Sequence, residues 1–308
     1  MANKTIYDLI IVGAGPAGIS AAIYAARKKI KFLLLGETTG GLIAKISLIE
    51  NYPGFWGISG KDLIDKFYSH LKVLGIMTRN EQVDKIAREK NIFSVQTAQE
   101  TYSSKTVLYA AGAQPKLLNI PGEARFAKKG ISYCAICDAP LFEGQDIAIV
   151  GGGNAGMETA LQVLPYAKKI YILESTARVT ADQLLVEKVS NHKQIILLPG
   201  AKIQKVGGSD FVEEILFEQS GRQQKLSVQG ILINVGYESH VLPVDQLVAL
   251  NNKREIIVDK WQKTNQLGFF AAGACTDSPY KQIITAAGDG CRAALSAFDY
   301  LSDIEPSK

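Results

Sequence analysis

Asp8-Leu9-Ile10-Ile11-Val12-Gly13-Ala14-Gly15-Pro16-Ala17-Gly18 decides the fold. The run ending at Val12 is short, apolar and stopped by glycine, which is the pattern of a strand buried on both faces. Ala17 to Ala26 is rich in alanine and poor in breakers, so it reads as a helix. Lys31-Phe32-Leu33-Leu34-Leu35 reads as a second buried strand, and Glu37 follows it, 19 positions after Gly18. Strand, glycine turn, helix, strand and acid make one βαβ unit of the dinucleotide-binding kind. Gly13, Gly15 and Gly18 let the backbone turn sharply and approach a pyrophosphate. The helix, opened by Pro16 and Ala17, offers free N–H groups and a positive dipole end to that anion. Glu37 can accept hydrogen bonds from a ribose diol. A strand-to-helix turn without a ligand would use the same glycines, but the complete unit favours the ligand.

A second unit repeats the pattern. Asp146 to Val150 is the strand, Gly151-Gly152-Gly153-Asn154-Ala155-Gly156 the turn, and Asn154 to Leu164 the helix. Ile170 to Leu173 is the second strand and ends in Glu174, 18 positions after Gly156. Gly151, Gly153, Asn154, Gly156 and Glu174 are the candidate nucleotide contacts. The two turns lie 138 residues apart, Gly13 to Gly151. This is duplication of a nucleotide-binding architecture, not a short solenoid repeat.

Bulk properties agree with a packed α/β protein. The 308 residues are 47% hydrophobic and 21% charged, which argues against disorder and leaves room for two domains. The formal net charge of +4 is unclustered, so nucleic-acid binding is not expected. No apolar run reaches membrane-spanning length, and Asp8 and Gly13 interrupt the first apolar stretch, so neither a membrane span nor an export signal is expected and the expected location is the cytoplasm.

Four cysteines divide by spacing. Cys275 and Cys291 stand alone and read as small buried hydrophobes. Cys134-Ala135-Ile136-Cys137 lacks the second ligand pair that zinc needs, and His70, His192 and His240 are scattered, so no metal site is expected. A redox dithiol is the better reading. One thiolate attacks a substrate disulfide and the other resolves the mixed disulfide. Asp138 is placed to relay a proton to the leaving thiolate, or to cap a helix.

With these motifs in hand, the chain resembles the low-molecular-weight thioredoxin reductases and the reductase part of the alkyl hydroperoxide reductase flavoproteins. The stretches that carry the likeness are Gly13–Gly18 with Tyr24-Ala25-Ala26-Arg27, Gly40-Gly41, Glu50-Asn51-Tyr52-Pro53-Gly54, Cys134–Asp138, Gly151–Gly156 and Tyr280-Lys281-Gln282-Ile283. The second relative is closer around Glu174 and Leu295–Leu301; it carries an extra N-terminal disulfide domain, which is not expected in these 308 residues. The resemblance implies two Rossmann-like, three-layer nucleotide-binding domains, the second inserted into the first. An FAD domain is expected at about 1–117 and 245–308, and a pyridine-nucleotide domain with the dithiol at about 118–244. It implies that Cys137 faces the flavin, that Cys134 exchanges with thioredoxin or a thioredoxin-like disulfide protein, and that Asp138 handles protons. It adds Gly40, Gly41, Leu42, Asn51, Ala111, Gly112, Ala274, Gln282 and Ile283 around FAD, Gly236 at a crossing, and a homodimer.

Three departures qualify the expectation. Leu173-Glu174-Ser175-Thr176-Ala177-Arg178 replaces the arginine-rich clamp of NADPH enzymes, so NADH is favoured over NADPH, with Arg178 the only cation near in sequence. Ala274 stands where the family has an aspartate on the ribityl chain of FAD; Asp277 is the near substitute in sequence. Leu42 and Ala111 each replace a polar residue near the expected FAD. Two alternatives therefore stay open: a relative that uses another donor such as ferredoxin, and a non-catalytic flavin-binding protein.

Overall fold

A computed structural model describes residues 5–36, 40–46, 49, 51–133, 138–241 and 243–304. The chain divides into two compact units, one of residues 1–114 and 238–308, the other of 115–237.

The first unit is built on a seven-stranded sheet. Its parallel part runs Thr78–Arg79, Phe32–Leu35, Ile6–Val12, Thr101–Tyr109, with Phe269–Ala271 also paired to the last of these. Ile92–Thr97 and Val83–Glu89 continue it as antiparallel strands. Leu9, Ile10 and Ile11 are fully buried, as a strand covered on both faces requires. The helix Pro16–Arg27 turns Ala17, Ile19, Ala21, Ala22 and Ala25 inward. These residues share a core with Ala293, Ala294 and Ala297 of the C-terminal helix Ile283–Ile304. Small residues let the two helices approach closely: a Cβ at Gly290 would lie 1.9 Å from the Ala17 carbonyl oxygen.

The second unit holds a five-stranded, all-parallel sheet in the order Ile195–Pro199, Lys169–Glu174, Asp146–Val150, Gly230–Ile233, Ile131–Ser132. The helices Asn154–Val163 and Gln183–Ser190 cover part of it. A three-stranded antiparallel sheet, Lys202–Gly207, Glu214–Gln219 and Arg222–Ser227, joins the same core through Val206, Ile215 and Phe217. The α/β class expected from the sequence is observed, and the antiparallel sheet is an addition to it. In both parallel sheets the first strand lies between the second strand and a strand reached by a longer connection. Its carboxyl end is therefore a topological switch point, where such sheets place ligands.

Candidate functional site

In the first unit, Val12 ends its strand and the chain turns at Gly13. Gly13 has φ +106°, and a Cβ there would lie 2.2 Å from the Ala110 carbonyl oxygen, so only glycine fits. Gly18 is barred from a side chain by the Gly13 oxygen, 1.7 Å from where its Cβ would sit. Gly15 differs: nothing lies within 4 Å of its Cβ position. The helix Pro16–Arg27 begins there with Gly15 as N-cap, no side-chain cap and no acid in its first turn. Open space in front of uncapped N–H groups is a cradle for an anion.

Some of the other sequence candidates lie at this turn. Gly13 packs on Ala110 and Ala111, Gly41 lies beside Gly15, and Gly273 rests on Ala17. Gly40 and Gly41 both have positive φ and lead into the short 3-10 turn Gly41–Lys45, which contains Leu42. Asn51 Nδ2 donates to Gln282 Oε1 at 3.3 Å, joining candidates 231 positions apart, and Ile283 starts the C-terminal helix. Gly112 accepts from the His240 N–H at 3.0 Å through its carbonyl. Ala274 lies in the 3-10 turn Gly273–Cys275, and its carbonyl accepts from Ser239 Oγ at 3.2 Å. Asp277, the near substitute in sequence, accepts from the Val258 N–H through Oδ1 at 3.2 Å. Glu37 lies outside the described residues.

The second unit repeats the turn. Gly151 has φ +115°, and its Cβ would lie 2.3 Å from the Asn234 carbonyl oxygen. Gly156 approaches the Gly151 oxygen as Gly18 approaches Gly13. The helix Asn154–Val163 starts at Gly153, again without a side-chain cap. Asn154 is instead tied to Asp182, with Nδ2 donating to Oδ2 at 2.8 Å and Oδ1 accepting from the Asp182 N–H at 2.7 Å.

A cleft of about 520 Å³ opens at this turn and is lined by Gly151, Gly153, Asn154, Glu174 and Gly236, five of the predicted contacts. Glu174 is the last residue of its strand and 8% exposed. Its Oε2 accepts from the Gly152 N–H at 2.7 Å and its Oε1 from the Thr176 N–H at 2.8 Å and Oγ1 at 3.0 Å. Burial opposes the charge, but these donors outweigh it and hold the carboxyl below the usual glutamate range. The carboxylate is therefore present in the wall of the cleft at neutral pH.

Sequence reasoning missed part of this lining. Lys202, Ile203 and Tyr237 face the cleft, whereas Arg178 is not in its lining among the described residues. Lys202 arrives because the Ala201 N–H donates to the Glu174 carbonyl at 2.8 Å, a long-range bond with no local signature.

Cys134 and Cys137 lie outside the described residues, but the segment that leads into them is anchored. Tyr133 Oη donates to Glu123 Oε1 at 2.7 Å. Glu123, 5% exposed, also accepts from the N–H groups of Leu118 at 2.8 Å and Asn119 at 2.6 Å. Burial first, and then the neighbouring carboxylate, push the Tyr133 phenol up, so it remains a donor. Asp138 occupies the N-cap position of the turn Ala139–Phe142 but makes no side-chain cap bond, so the capping role expected of it is not observed. Cys275 is fully buried, and burial raises its thiol to about 11. Cys291 is only half-buried, against the expectation of a buried residue, and sits beside Tyr24. No cluster of metal-ligating side chains and no helix long and apolar enough to cross a membrane occurs among the described residues.

Comparison with known proteins matches residues 7–290 to the profile of the pyridine nucleotide-disulphide oxidoreductases. The chain is 36% identical over 303 residues to the NADH dehydrogenase of Bacillus subtilis, covering 97% of this chain and 60% of that protein. It is 37% identical over 307 residues to an alkyl hydroperoxide reductase polypeptide of Escherichia coli, covering 97% and 59%. The chain thus spans about three-fifths of the length of these curated relatives. The crystal structure of thioredoxin reductase from Lactococcus lactis superposes with a TM-score of 0.93 at 30% identity, covering 96% of this chain and 99% of that one.

Proposed function

We propose a function from one premise: the chain belongs to the pyridine nucleotide-disulphide oxidoreductase family. On this reading the unit of 1–114 and 238–308 holds FAD, and the unit of 115–237 takes NADH and carries Cys134 and Cys137. The substrate is a protein disulfide of the thioredoxin type, and the working form is the homodimer that the sequence resemblance implies. The observation that carries the reading is the cleft of the second unit: fingerprint backbone, an uncapped helix and a buried carboxylate in one wall.

The residues of the first unit fit FAD. The space at Gly15 and the uncapped first turn of Pro16–Arg27 suit a pyrophosphate, Gly41, Ala111 and Gly273 lie at that turn, and on this reading Asn51, Gly112, Ala274 and Gln282 contact the rest of the cofactor. FAD, when bound, supplies the two-electron relay between a nicotinamide and a disulfide. In the second unit, Gly153 and the N–H groups of Asn154–Val163 would hold the nicotinamide cofactor's pyrophosphate, and Glu174 would accept from the adenosine ribose.

The exchange chemistry belongs to this chain's own sulfurs. The Cys134 thiolate attacks one sulfur of the substrate disulfide, and the sulfur released takes a proton from Asp138. The Cys137 thiolate then attacks Cys134 in the mixed disulfide. That step releases the second substrate thiol and leaves the Cys134–Cys137 disulfide. The dithiol loses two electrons and two protons and the substrate gains both: each cysteine gives its proton to Asp138 as it becomes the attacking thiolate, and Asp138 passes it to the substrate sulfur released in that step.

The donor choice rests on charge. A 2′-phosphate would meet the Glu174 carboxylate, and one contact poorer by about 1.4 kcal/mol changes affinity about tenfold. Lys202 faces the same cleft and offsets part of this repulsion. The relative named NADH dehydrogenase supports the same donor. The test is kcat/KM for NADH and NADPH with a disulfide dye as acceptor. The expected ratio is about tenfold or more in favour of NADH; equal values or an NADPH preference reject the donor assignment. Reduction by dithionite but by neither nucleotide would point to another donor, such as ferredoxin.

A further inference from the structure

The first unit buries an acid that the electron path does not use. Asp289, in the C-terminal helix, is 6% exposed, and Gln262, which faces it, is 4% exposed. Gln262 Nε2 donates to Asp289 Oδ1 at 3.3 Å. The other oxygen of each side chain, Asp289 Oδ2 and Gln262 Oε1, is fully buried and has no hydrogen-bond partner among the described residues.

We infer that Asp289 is protonated in the folded protein and, paired with Gln262, acts as a positioning residue for the Gly273–Ala274 turn against the fingerprint helix. As an ion, Asp289 would leave Oδ2 and Gln262 Oε1, two buried acceptors, without a hydrogen bond. One proton on Oδ2 supplies the missing donor, and its acceptor would be Gln262 Oε1, on the amide whose Nε2 already donates to Oδ1. The acid and the amide then close a cyclic pair with two hydrogen bonds and no buried charge.

The charged groups around the pair favour the ion only weakly. On its own helix, Arg292 Nη1 is 3.8 Å from Oδ1, but its side chain is half-exposed and also donates to the Lys260 carbonyl at 3.4 Å. Lys281, from the segment before the helix, is engaged by Glu255 at 3.1 Å and by the Thr276 carbonyl. From the Gly273 turn only a backbone N–H faces the carboxyl. Burial outweighs all three and pushes the acid above the usual aspartate range.

The pair stands directly behind the cradle. Gly290, next to Asp289, rests on the Ala17 carbonyl, and a Cβ at Gly273 would lie 3.0 Å from Ala17 Cβ. Gln262 itself has φ +64°, an uncommon conformation for a residue with a side chain, and its carbonyl accepts from the Ala271 N–H at 3.2 Å, two residues before Gly273. The pair therefore fixes Ala271–Ala274 from one side and Gly290 from the other. The consequence for cofactor binding rests on the FAD reading above; the proton assignment does not.

The tests are infrared difference spectroscopy at neutral pH and FAD binding. Wild type minus Asp289→Asn should show the carbonyl band of a protonated carboxylic acid. Asn can donate to Gln262 Oε1 and accept from its Nε2, so Asp289→Asn should bind FAD as wild type does. Asp289→Ala and Gln262→Ala should bind about tenfold more weakly. With its acid raised in the folded state, wild type should lose stability as pH rises from the ordinary aspartate range toward that raised value, and Asp289→Asn should not. No acid band, together with Asp289→Asn as weak as Asp289→Ala, would overturn the proposal in favour of a required charge. Unchanged FAD binding in Asp289→Ala and Gln262→Ala would overturn the positioning role. Wild type that shows the acid band but binds no FAD would reject the flavin reading and leave the proton assignment standing.

Discussion

In the first glycine turn Ala14 points its Cβ at Gly36; in the second, the positions at the same 138-residue offset are Gly152 and Glu174. A Cβ on Gly36 would lie 2.6 Å from Ala14 Cβ, and a Cβ on Gly152 would lie 2.9 Å from Glu174 Cβ. The gap between the turn and the end of the second strand thus has room for one side chain. The first unit fills it from the turn and the second from the strand end. That choice decides where an acid can stand. In the second unit the strand-end residue is itself the acid, bonded to the Gly152 N–H and set in the cleft wall. In the first the residue after the strand must be glycine, and the acid in the sequence comes one position later, at Glu37. The spacings of 19 and 18 residues from the last fingerprint glycine are this difference read along the chain.

The strongest way to break the comparison is at the glycines that both turns require. Gly13→Ala and Gly151→Ala each place a Cβ against a backbone carbonyl at positive φ. Each should cost more than about 4 kcal/mol, beyond the ordinary range of single substitutions. Gly13→Ala should lose FAD binding, and Gly151→Ala should keep FAD but lose reduction by NADH. Denaturant unfolding and flavin absorbance read both effects, and identical losses in the two variants would remove the division of labour between the units.

The complementary pair gives a smaller and sharper test. Gly152→Ala should destabilise by about 1–3 kcal/mol through overpacking against Glu174. Glu174→Gly should relieve part of that cost, with a coupling of about 1 kcal/mol in a double-mutant cycle. The double variant carries the first unit's pattern and should no longer favour NADH. Strictly additive stabilities would show that the two positions do not share one space. The smallest effect is expected at the anchor before the dithiol. Tyr133→Phe should cost about 1 kcal/mol, the scale of one hydrogen bond. It should slow disulfide turnover while leaving flavin reduction by NADH unchanged; slowing of both would make the anchor purely structural.

The two strands and the helix that frame each glycine turn were legible in the sequence because their signals are local: apolar runs ended by glycine, then helices with few breakers. Gly13, Gly18, Gly151 and Gly156 were legible because tight turns leave no alternative residue. Lys202, the Glu123–Tyr133 anchor and the Asp289–Gln262 pair were not. Each depends on contacts between segments distant in the chain, and a lone lysine, glutamate or aspartate has no spacing to announce it. Ala274 shows the same limit from the other side. Its sequence neighbour Asp277 suggested a substitute acid, but nothing in the sequence announced that Asp289 of the C-terminal helix faces the Gly273 turn.

The central claim is that the two turns carry two dinucleotides in one electron path ending at Cys134 and Cys137. Anaerobic addition of NADH to FAD-loaded protein tests it directly, with the visible flavin absorbance and the free thiols followed together. The flavin band should bleach and a new pair of thiols should form, and in Cys137→Ser the band should bleach with no new thiol pair. A flavin that dithionite bleaches and NADH does not, or thiols that form equally in Cys137→Ser, would contradict the account.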